Sequence, residues 1–341
     1  MTVGAAILAV IAVAGITYAK WWPYGHKVVK VLSAHAYPGT SIFASAGSPG
    51  AAPTWHATWS FVASYGNDVW VALIVAILVG AGVETLLPET TIGLLRRPGR
   101  ARSSLFGGLL SLPCLMCTCC TAPVTRSMRR AGVPVSAALS YWLGNPLLNP
   151  VVLLFLALVL PWQYAAARLV LGAVLVFAVA PVVARLAPHG AGLEPPPAEA
   201  PVPLSIRTTP VRYLRAVGRL VLLLVPEYFV VVVAVGAFRG WLFPLGHGAE
   251  SWGVLAGLVA ATAGTLLVIP TAAEIPIIVG LIAIGFSPLV TGALLISLPA
   301  LSLPSMVMVG RALSARVTAA TCLAVMACSL AAGGLLVSLG A

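Results

Sequence analysis

Cys114, Cys117, Cys119 and Cys120 fall within seven residues, Cys-Leu-Met-Cys-Thr-Cys-Cys, of a 341-residue chain that is 60% hydrophobic and only 8% charged. Thiolates are soft ligands that prefer trivalent arsenicals, Hg(II) and Cu(I). Neighbouring thiols also exchange electrons and disulfides. Two chemistries are therefore open. In the first, favoured here, the cysteines bind a thiophilic solute, with Cys117, Cys119 and Cys120 as soft-metal or metalloid ligands and Met116 as a softer donor. In the second they form a redox dithiol, for which Cys114-x-x-Cys117 has the spacing. A structural zinc site fits less well, because its paired knuckles lie far apart in sequence and Cys119 and Cys120 are adjacent. Arg126, Arg129 and Arg130 follow within ten residues, and would stabilise thiolate if the chain folded them back.

The next candidates are acids inside apolar stretches. Charged side chains are expensive at membrane depth, so each needs a reason. Glu274 and Glu227 are expected to carry protons, Glu227 having the equal alternative of pairing with Arg219 or Arg239. Glu84 and Glu89, beside an arginine-rich loop, read as interfacial. Asn145, Asn149 and Ser302 adjoin prolines that free backbone carbonyls. Their side chains either satisfy that backbone, the favoured role, or contact substrate. His26, His35 and His56 show no ligand spacing and read as loop residues. Cys322 and Cys328 read as packing residues.

What must position these groups is a set of membrane helices. Mean hydropathy is +1.04, outside the range of soluble domains, and several stretches supply the ~20 apolar residues that a spanning helix needs. The fold class is all-α, a polytopic transmembrane helical protein. The net charge of +11 gathers in short loops, as on a cytoplasmic face, and not on a basic module beside aromatics. Nucleic acid is not an expected partner. The lipid bilayer and a small thiophilic solute are, with a homo-oligomer as a further option. The location is the cell membrane. No P-loop or Cys-x-x-Cys-His haem motif occurs, and no cofactor or catalytic residue is expected. Residues 1–24 read as a retained N-terminal helix ending in an interfacial Lys20-Trp21-Trp22-Pro23-Tyr24 belt. Residues 25–66 read as a polar extracytoplasmic loop, 67–187 as a first transmembrane repeat, 188–210 as a Pro-rich cytoplasmic linker, and 211–341 as a second repeat with a C-terminal helix.

The repeat is carried by helix breakers. Pro123, Gly132, Pro134, Pro146 and Pro150 are spaced 9, 2, 12 and 4 apart, against 9, 3, 11 and 5 for Pro276, Gly285, Pro288, Pro299 and Pro304. This punctuation predicts a duplicated unit with discontinuous helices broken at Pro123, Pro146, Pro276 and Pro299. The turn after Pro123 carries three arginines and its counterpart after Pro276 none, which predicts inverted topology, with re-entrant hairpins meeting near the midplane.

On these residues the chain resembles the predicted-permease family that includes the ArsP organoarsenical efflux permeases. That family shows Cys-Ser-Cys-Gly-x-x-Pro, a Gly turn and Pro-x-x-Asn-Pro. Here the matching stretches are Cys117-Thr-Cys-Cys-Thr-Ala-Pro123, Gly132 and Asn145-Pro-Leu-Leu-Asn-Pro150. The family's second block resembles Pro270-Thr-Ala-Ala-Glu-Ile-Pro276 and Pro299-Ala-Leu-Ser-Leu-Pro-Ser305, and Val83-Glu-Thr-Leu-Leu-Pro88 resembles its preceding helix end. The second block lacks the family's cysteines, whereas the first has Cys120 in place of glycine and an additional Cys114. The resemblance covers about residues 69–316 and implies a gradient-driven efflux permease without enzymatic activity. A membrane thiol-disulfide oxidoreductase is the alternative.

Overall fold

The computed structural model describes residues 3–34, 52–86, 99–187, 209–242, 252–283 and 285–341. Glu89, His35 and the linker 188–208 lie outside the described residues. Among the described residues the secondary structure is helical throughout. Among the described residues six helices are long and apolar enough to cross a membrane, or seven if one bent pair counts as a span.

The N-terminal span joins α1 (Val3–Ile16) through a π-helical turn at Thr17–Trp21 to α2 (Trp22–Ala34). The reading of residues 25–66 as a loop is corrected at both ends, because α2 runs through residues 25–34 and α3 (Trp55–Leu86) starts before the expected boundary. Pro23 follows closely on the π-helical turn at Thr17–Trp21, a ladder irregularity of the kind that accompanies a proline's missing N–H within a helix. Trp55 stacks on Trp59 and Phe61 on Tyr65, each four residues apart on one helical face.

The first half continues with α4 (Arg100–Ser111), a 3-10 turn at Leu112–Cys114, and α5 (Thr118–Arg130). Then come α6 (Val135–Leu147), α7 (Pro150–Val159) and α8 (Trp162–Ala173), which passes through a π-helical turn into α9 (Ala180–Val183). The second half repeats this order: long α10 (Thr209–Leu242), short α11 (Val254–Leu266) and α12 (Glu274–Ala283), then α13 (Pro288–Ala300), α14 (Leu303–Leu313) and α15 (Ala315–Ser338).

The correspondence is local as well as ordinal. Gly132 and Gly285 both have positive φ and close the same Schellman turn, with Val133 N–H on the Met128 carbonyl and Phe286 N–H on that of Leu281. Where α4 ends against α6, a Cβ on Gly144 would lie 2.3 Å from Ser111 Oγ. Where α11 ends against α13, a Cβ on Gly264 would lie 2.0 Å from Ser297 Oγ. Ser111 corresponds to Gly264 and Gly144 to Ser297, so each half seats one hydroxymethyl against one glycine, with the two roles exchanged.

The breaks do not fall at the first proline of each set. Pro123 lies inside α5 and Pro276 within the first turn of α12; the chain leaves helix before them, at Leu112–Cys117 and Leu267–Ala273. In each break one non-glycine residue takes a positive φ, Leu115 at 51° and Ala272 at 69°. Pro146 and Pro299 end the run of α6 and α13, one residue before the close of each helix and ahead of the gaps that precede α7 and α14. Across the second of these gaps the helix axis bends by 53°.

Candidate functional site

Three of the four clustered thiols converge. Cys117 is the N-cap of α5, and its Sγ lies 3.0 Å from Cys119 Sγ and 3.2 Å from Cys120 Sγ. All three sulfurs fit within 4.8 Å of one another, and all three residues are buried. The spacing explains this: residues at the N-cap and the first turn of one helix project around the same end. The cysteines are unbridged. Tyr65 Oη, from α3, lies 3.0 Å from Cys119 Sγ and accepts a 2.7 Å hydrogen bond from Tyr228 Oη of α10. The two long helices thus reach the thiols through a pair of phenols.

Cys114 is separate. Its thiol meets Tyr141 Oη at 3.4 Å and the Leu110 carbonyl at 3.5 Å. It lines an apolar cavity of about 540 Å³ between α1, α3, α4 and α5, away from the other three. Cys114 does not join the three-sulfur cluster: the left-handed residue Leu115 turns the chain between Cys114 and Cys117. The arginines also sit elsewhere. Since α5 continues through Pro123, Arg126 is about 13 Å along the helix from Cys117 at 1.5 Å per residue. Arg129 donates to the Val133 carbonyl at the far end. No folding back onto the sulfurs occurs.

The second break packs against this cluster. Cys117 and Glu274 line one small void with Pro146, Pro270, Thr271 and Pro299. Its volume, about 10 Å³, suits at most one water. Thr118 Oγ1 and Ser302 Oγ are 3.3 Å apart, joining the first break to the gap before α14.

Glu274 has a partner the sequence did not name. Arg168, from α8, is fully buried and meets Glu274 Oε1 at 2.8 Å. The same guanidinium donates to the carbonyls of Pro146 (2.6 Å), Leu147 (3.2 Å) and Leu295 (3.4 Å). Arginine's planar fork suits this task. It fastens the end of α6, the middle of α13 and the start of α12 to one point. The signal was present, a lone arginine in an apolar span, and such a residue should be assigned a partner by default. Glu227 pairs with Arg311 at 3.5 Å, not with Arg219; the side chain of Arg239 lies outside the described residues. Glu84, read as interfacial, is half-buried, pairs with the partly exposed Arg219 and accepts from Ser127.

The polar residues at the breaks serve the backbone. Asn149 caps α7, its Oδ1 accepting from Val151 N (3.1 Å) and Val152 N (3.2 Å). Ser302 forms a capping box with Ser305 at the start of α14. Asn145 Nδ2 donates to the Tyr141 carbonyl at 2.9 Å. Asn145 Oδ1 and Asn149 Nδ2 remain buried without a partner among the described residues.

The N-terminal span closes the site from one side, which the belt reading of Lys20–Tyr24 missed. Trp21 Nε1 donates to the Pro113 carbonyl at 2.9 Å. Tyr24 Oη donates to the Thr271 carbonyl at 2.7 Å, and Lys20 Nζ to Thr271 Oγ1 at 3.0 Å. One short segment therefore bonds to both breaks.

Comparison with known proteins agrees with this architecture. The family model described as "Predicted permease" matches residues 54–338. The UPF0718 protein YraQ of Escherichia coli strain K12 is 38% identical over 315 residues, covering 91% of this chain and 88% of the relative. The UPF0718 protein YcgR of Bacillus subtilis strain 168 is 27% identical over 81 residues, 24% of this chain and 28% of that protein. No solved structure matches significantly. With membrane helices, paired breaks and a family match across most of its length, the chain belongs to the predicted-permease family and is a multi-pass membrane permease.

Proposed function

We propose that the permease exports a thiophilic solute, a soft metal, metalloid or thiol-linked species, by alternating access through the Cys117–Cys119–Cys120 site. The observation that carries this is three buried, unbridged thiols within 4.8 Å of one another at the junction of two helix breaks. Three convergent sulfurs suit thiophilic centres and give little to hard cations. Asn145 Oδ1 and Asn149 Nδ2 offer one spare acceptor and one spare donor near the same junction.

Short helices support a re-entrant arrangement. At 1.5 Å per residue α12 is about 15 Å long and α5 about 20 Å, against a hydrocarbon core of about 30 Å. Each hairpin then reaches partway and returns, with its irregular backbone buried in protein. The void beside Cys117 is too small for such a solute, so this reading takes the conformation as an occluded state. Proton coupling in this reading falls to Glu274 and Glu227. To take a proton, each must release an arginine, Arg168 or Arg311, and that exchange links protonation to movement of the helices they join.

The test is accumulation of arsenic, mercury or copper in a sensitive host expressing the intact protein or its Cys117/Cys119/Cys120→Ser form. Lower accumulation of at least one element with the intact protein only is expected. Equal accumulation of all three would remove the soft-ligand reading. A second reading, thiol-disulfide exchange, draws on the 3.2 Å approach of Cys117 and Cys120 at a helix N-terminus. It predicts instead a mixed disulfide with a partner protein, trapped at Cys117 in a Cys119→Ser/Cys120→Ser variant.

A further inference from the structure

A polar vestibule of about 650 Å³ lies between the N-terminal span and the second break, with Lys20, Lys27, Asn67, Asp68 and Thr271 in its walls. Pro270 and Thr271 also line the small void beside Cys117 and Glu274. One two-residue wall therefore separates a solvent-sized chamber from the thiol site. Lys20 is only 4% exposed, and its ammonium is bonded to that wall through Thr271 Oγ1. Both ammonium groups also stand over the Tyr24 ring, at 5.7 Å for Lys20 and 5.3 Å for Lys27. Among the described residues neither lysine forms an ion pair. Asp68 is the acid of the chamber, and Glu274 behind the wall is engaged by Arg168.

A buried ammonium with a hydroxyl, an aromatic face and a carboxylate only at longer range, Asp68 across the chamber, keeps unused donors, and two ammonium groups there face one carboxylate. Placed against the last wall before the sulfurs, the Lys20 ammonium gives the chamber a positive field that concentrates anions. We propose that this vestibule is an anion-selecting mouth to the thiol site, that Lys20 and Lys27 determine the selection, and that the solute is a small anion bearing a soft, sulfur-seeking atom. This rests on the thiol site proposed above and narrows its substrate class. Lys20, Tyr24 and Lys27 precede the family-matching residues 54–338, whereas Asn67, Asp68 and Thr271 lie within them, so one wall of the mouth comes from a segment outside the family match.

The experiment compares two thiol reagents that differ in charge, 2-sulfonatoethyl methanethiosulfonate and its trimethylammonium-ethyl analogue. Cys117 is the target, in full-length protein in lipid nanodiscs, with Cys119 and Cys120 replaced by Ser so that the adduct is not resolved by a neighbour. The Cys117 thiolate attacks the reagent's sulfenyl sulfur, a disulfide forms and methanesulfinate leaves; mass spectrometry of the Cys117 peptide gives the rate. The anionic reagent is expected to react at least about tenfold faster, the lower range of electrostatic focusing. That ratio should fall to near one in Lys20→Gln/Lys27→Gln, where the substituted amide at the first position keeps a donor for Thr271. It should rise in Asp68→Asn. A ratio near one in the starting protein, an unchanged ratio in the double lysine variant, or no labelling of Cys117 by either reagent would overturn the mouth.

A solute arm uses 4-hydroxymercuribenzoate, an anion carrying a thiophilic mercury, and its uncharged phenylmercury counterpart. The anion should raise the unfolding midpoint more, and that excess should be lost in Lys20→Gln; equal effects would overturn the anion assignment. The near-ultraviolet Hg(II)–thiolate absorbance of the wild-type protein is read separately and should survive Lys20→Gln/Lys27→Gln. Its absence would sink the thiol site while leaving the reagent ratio to judge the vestibule.

Discussion

Arg168 and Glu274 show what a charge inside this bundle achieves. Taking both from water costs several kcal/mol each, and that cost is offset only where every donor and acceptor is engaged. Arg168 comes close to this condition: each of its three nitrogens has a partner among Glu274 and three carbonyls. Two of those carbonyls, Pro146 and Leu147, close α6 and so have no donor within their own helix. Arg168→Gln should therefore destabilise by about 3–5 kcal/mol, the range for breaking a buried pair from one side. Glu274→Gln should cost less, since Arg168 keeps its carbonyls, and the double variant should fall short of the sum of the singles. Unfolding midpoints of the four proteins in detergent check this; strict additivity would mean that the pair has no coupling. In the sequence, Glu274 stood out as an acid needing a reason. Its reason lay 106 positions earlier, at Arg168, and pairing across that interval depends on how helices pack, which no local pattern encodes. The convergence of Cys117, Cys119 and Cys120 was legible because it is local to one helix end. The separation of Cys114 was not, because it turns on the left-handed conformation of Leu115.

Elements repeat more faithfully than residues do. Gly144 against Ser111 and Gly264 against Ser297 are the same contact with its members exchanged. Gly264→Ser alone should cost about 1–3 kcal/mol, as expected for overpacking a fitted contact. Adding Ser297→Gly should recover most of that loss, because it recreates the arrangement of the first half. Thermal unfolding of the two variants measures the recovery, and a double variant no better than the single would show that the helix pairs pack differently. At the gap before α14, Ser302→Ala removes the capping box and should cost about 1 kcal/mol. It also removes the hydroxyl facing Thr118, so transport should fall more than stability; equal losses in activity and folded protein would limit Ser302 to capping. Proline spacing made this duplicated order readable from sequence. It misplaced the first break of each half because a proline near a helix start is tolerated and in the interior of a membrane helix can be accommodated. The chain instead leaves helix upstream, where Leu112-Pro113-Cys114 and Pro270-Thr271-Ala272 carry the irregular backbone. Residues 25–34 and 55–66 read as loop because they lack an apolar run. The second of these stretches is helical with Trp55, Trp59, Phe61 and Tyr65 stacking in pairs along its length.

At the scale of the molecule, the two halves share element order and turn geometry but not charge. The turn closed by Gly132 follows Arg126, Arg129 and Arg130, whereas the turn closed by Gly285 follows the uncharged Pro276–Ala283 stretch. Basic residues favour the cytoplasmic face, and a duplicated unit inserted once in each orientation would show this asymmetry between equivalent turns. If both halves had the same orientation, the two turns would share a face and their unequal charge would have no topological cause. Inversion would also give the breaks their use: hairpins entering from opposite faces bring Cys117 and Glu274 to one void from two sides, so that rocking one half against the other exposes the site alternately. Single cysteines at Ala131 and Ser287, beside the two turns, decide the matter. In intact cells a membrane-impermeant maleimide should label position 287 and spare 131, and in everted vesicles the pattern should reverse. The native cysteines are buried or half-buried, so background labelling should be low and is measured on the unsubstituted protein. Labelling of both positions from the same side would exclude inversion, and with it the alternating route through the thiols, leaving the duplicated order to packing alone.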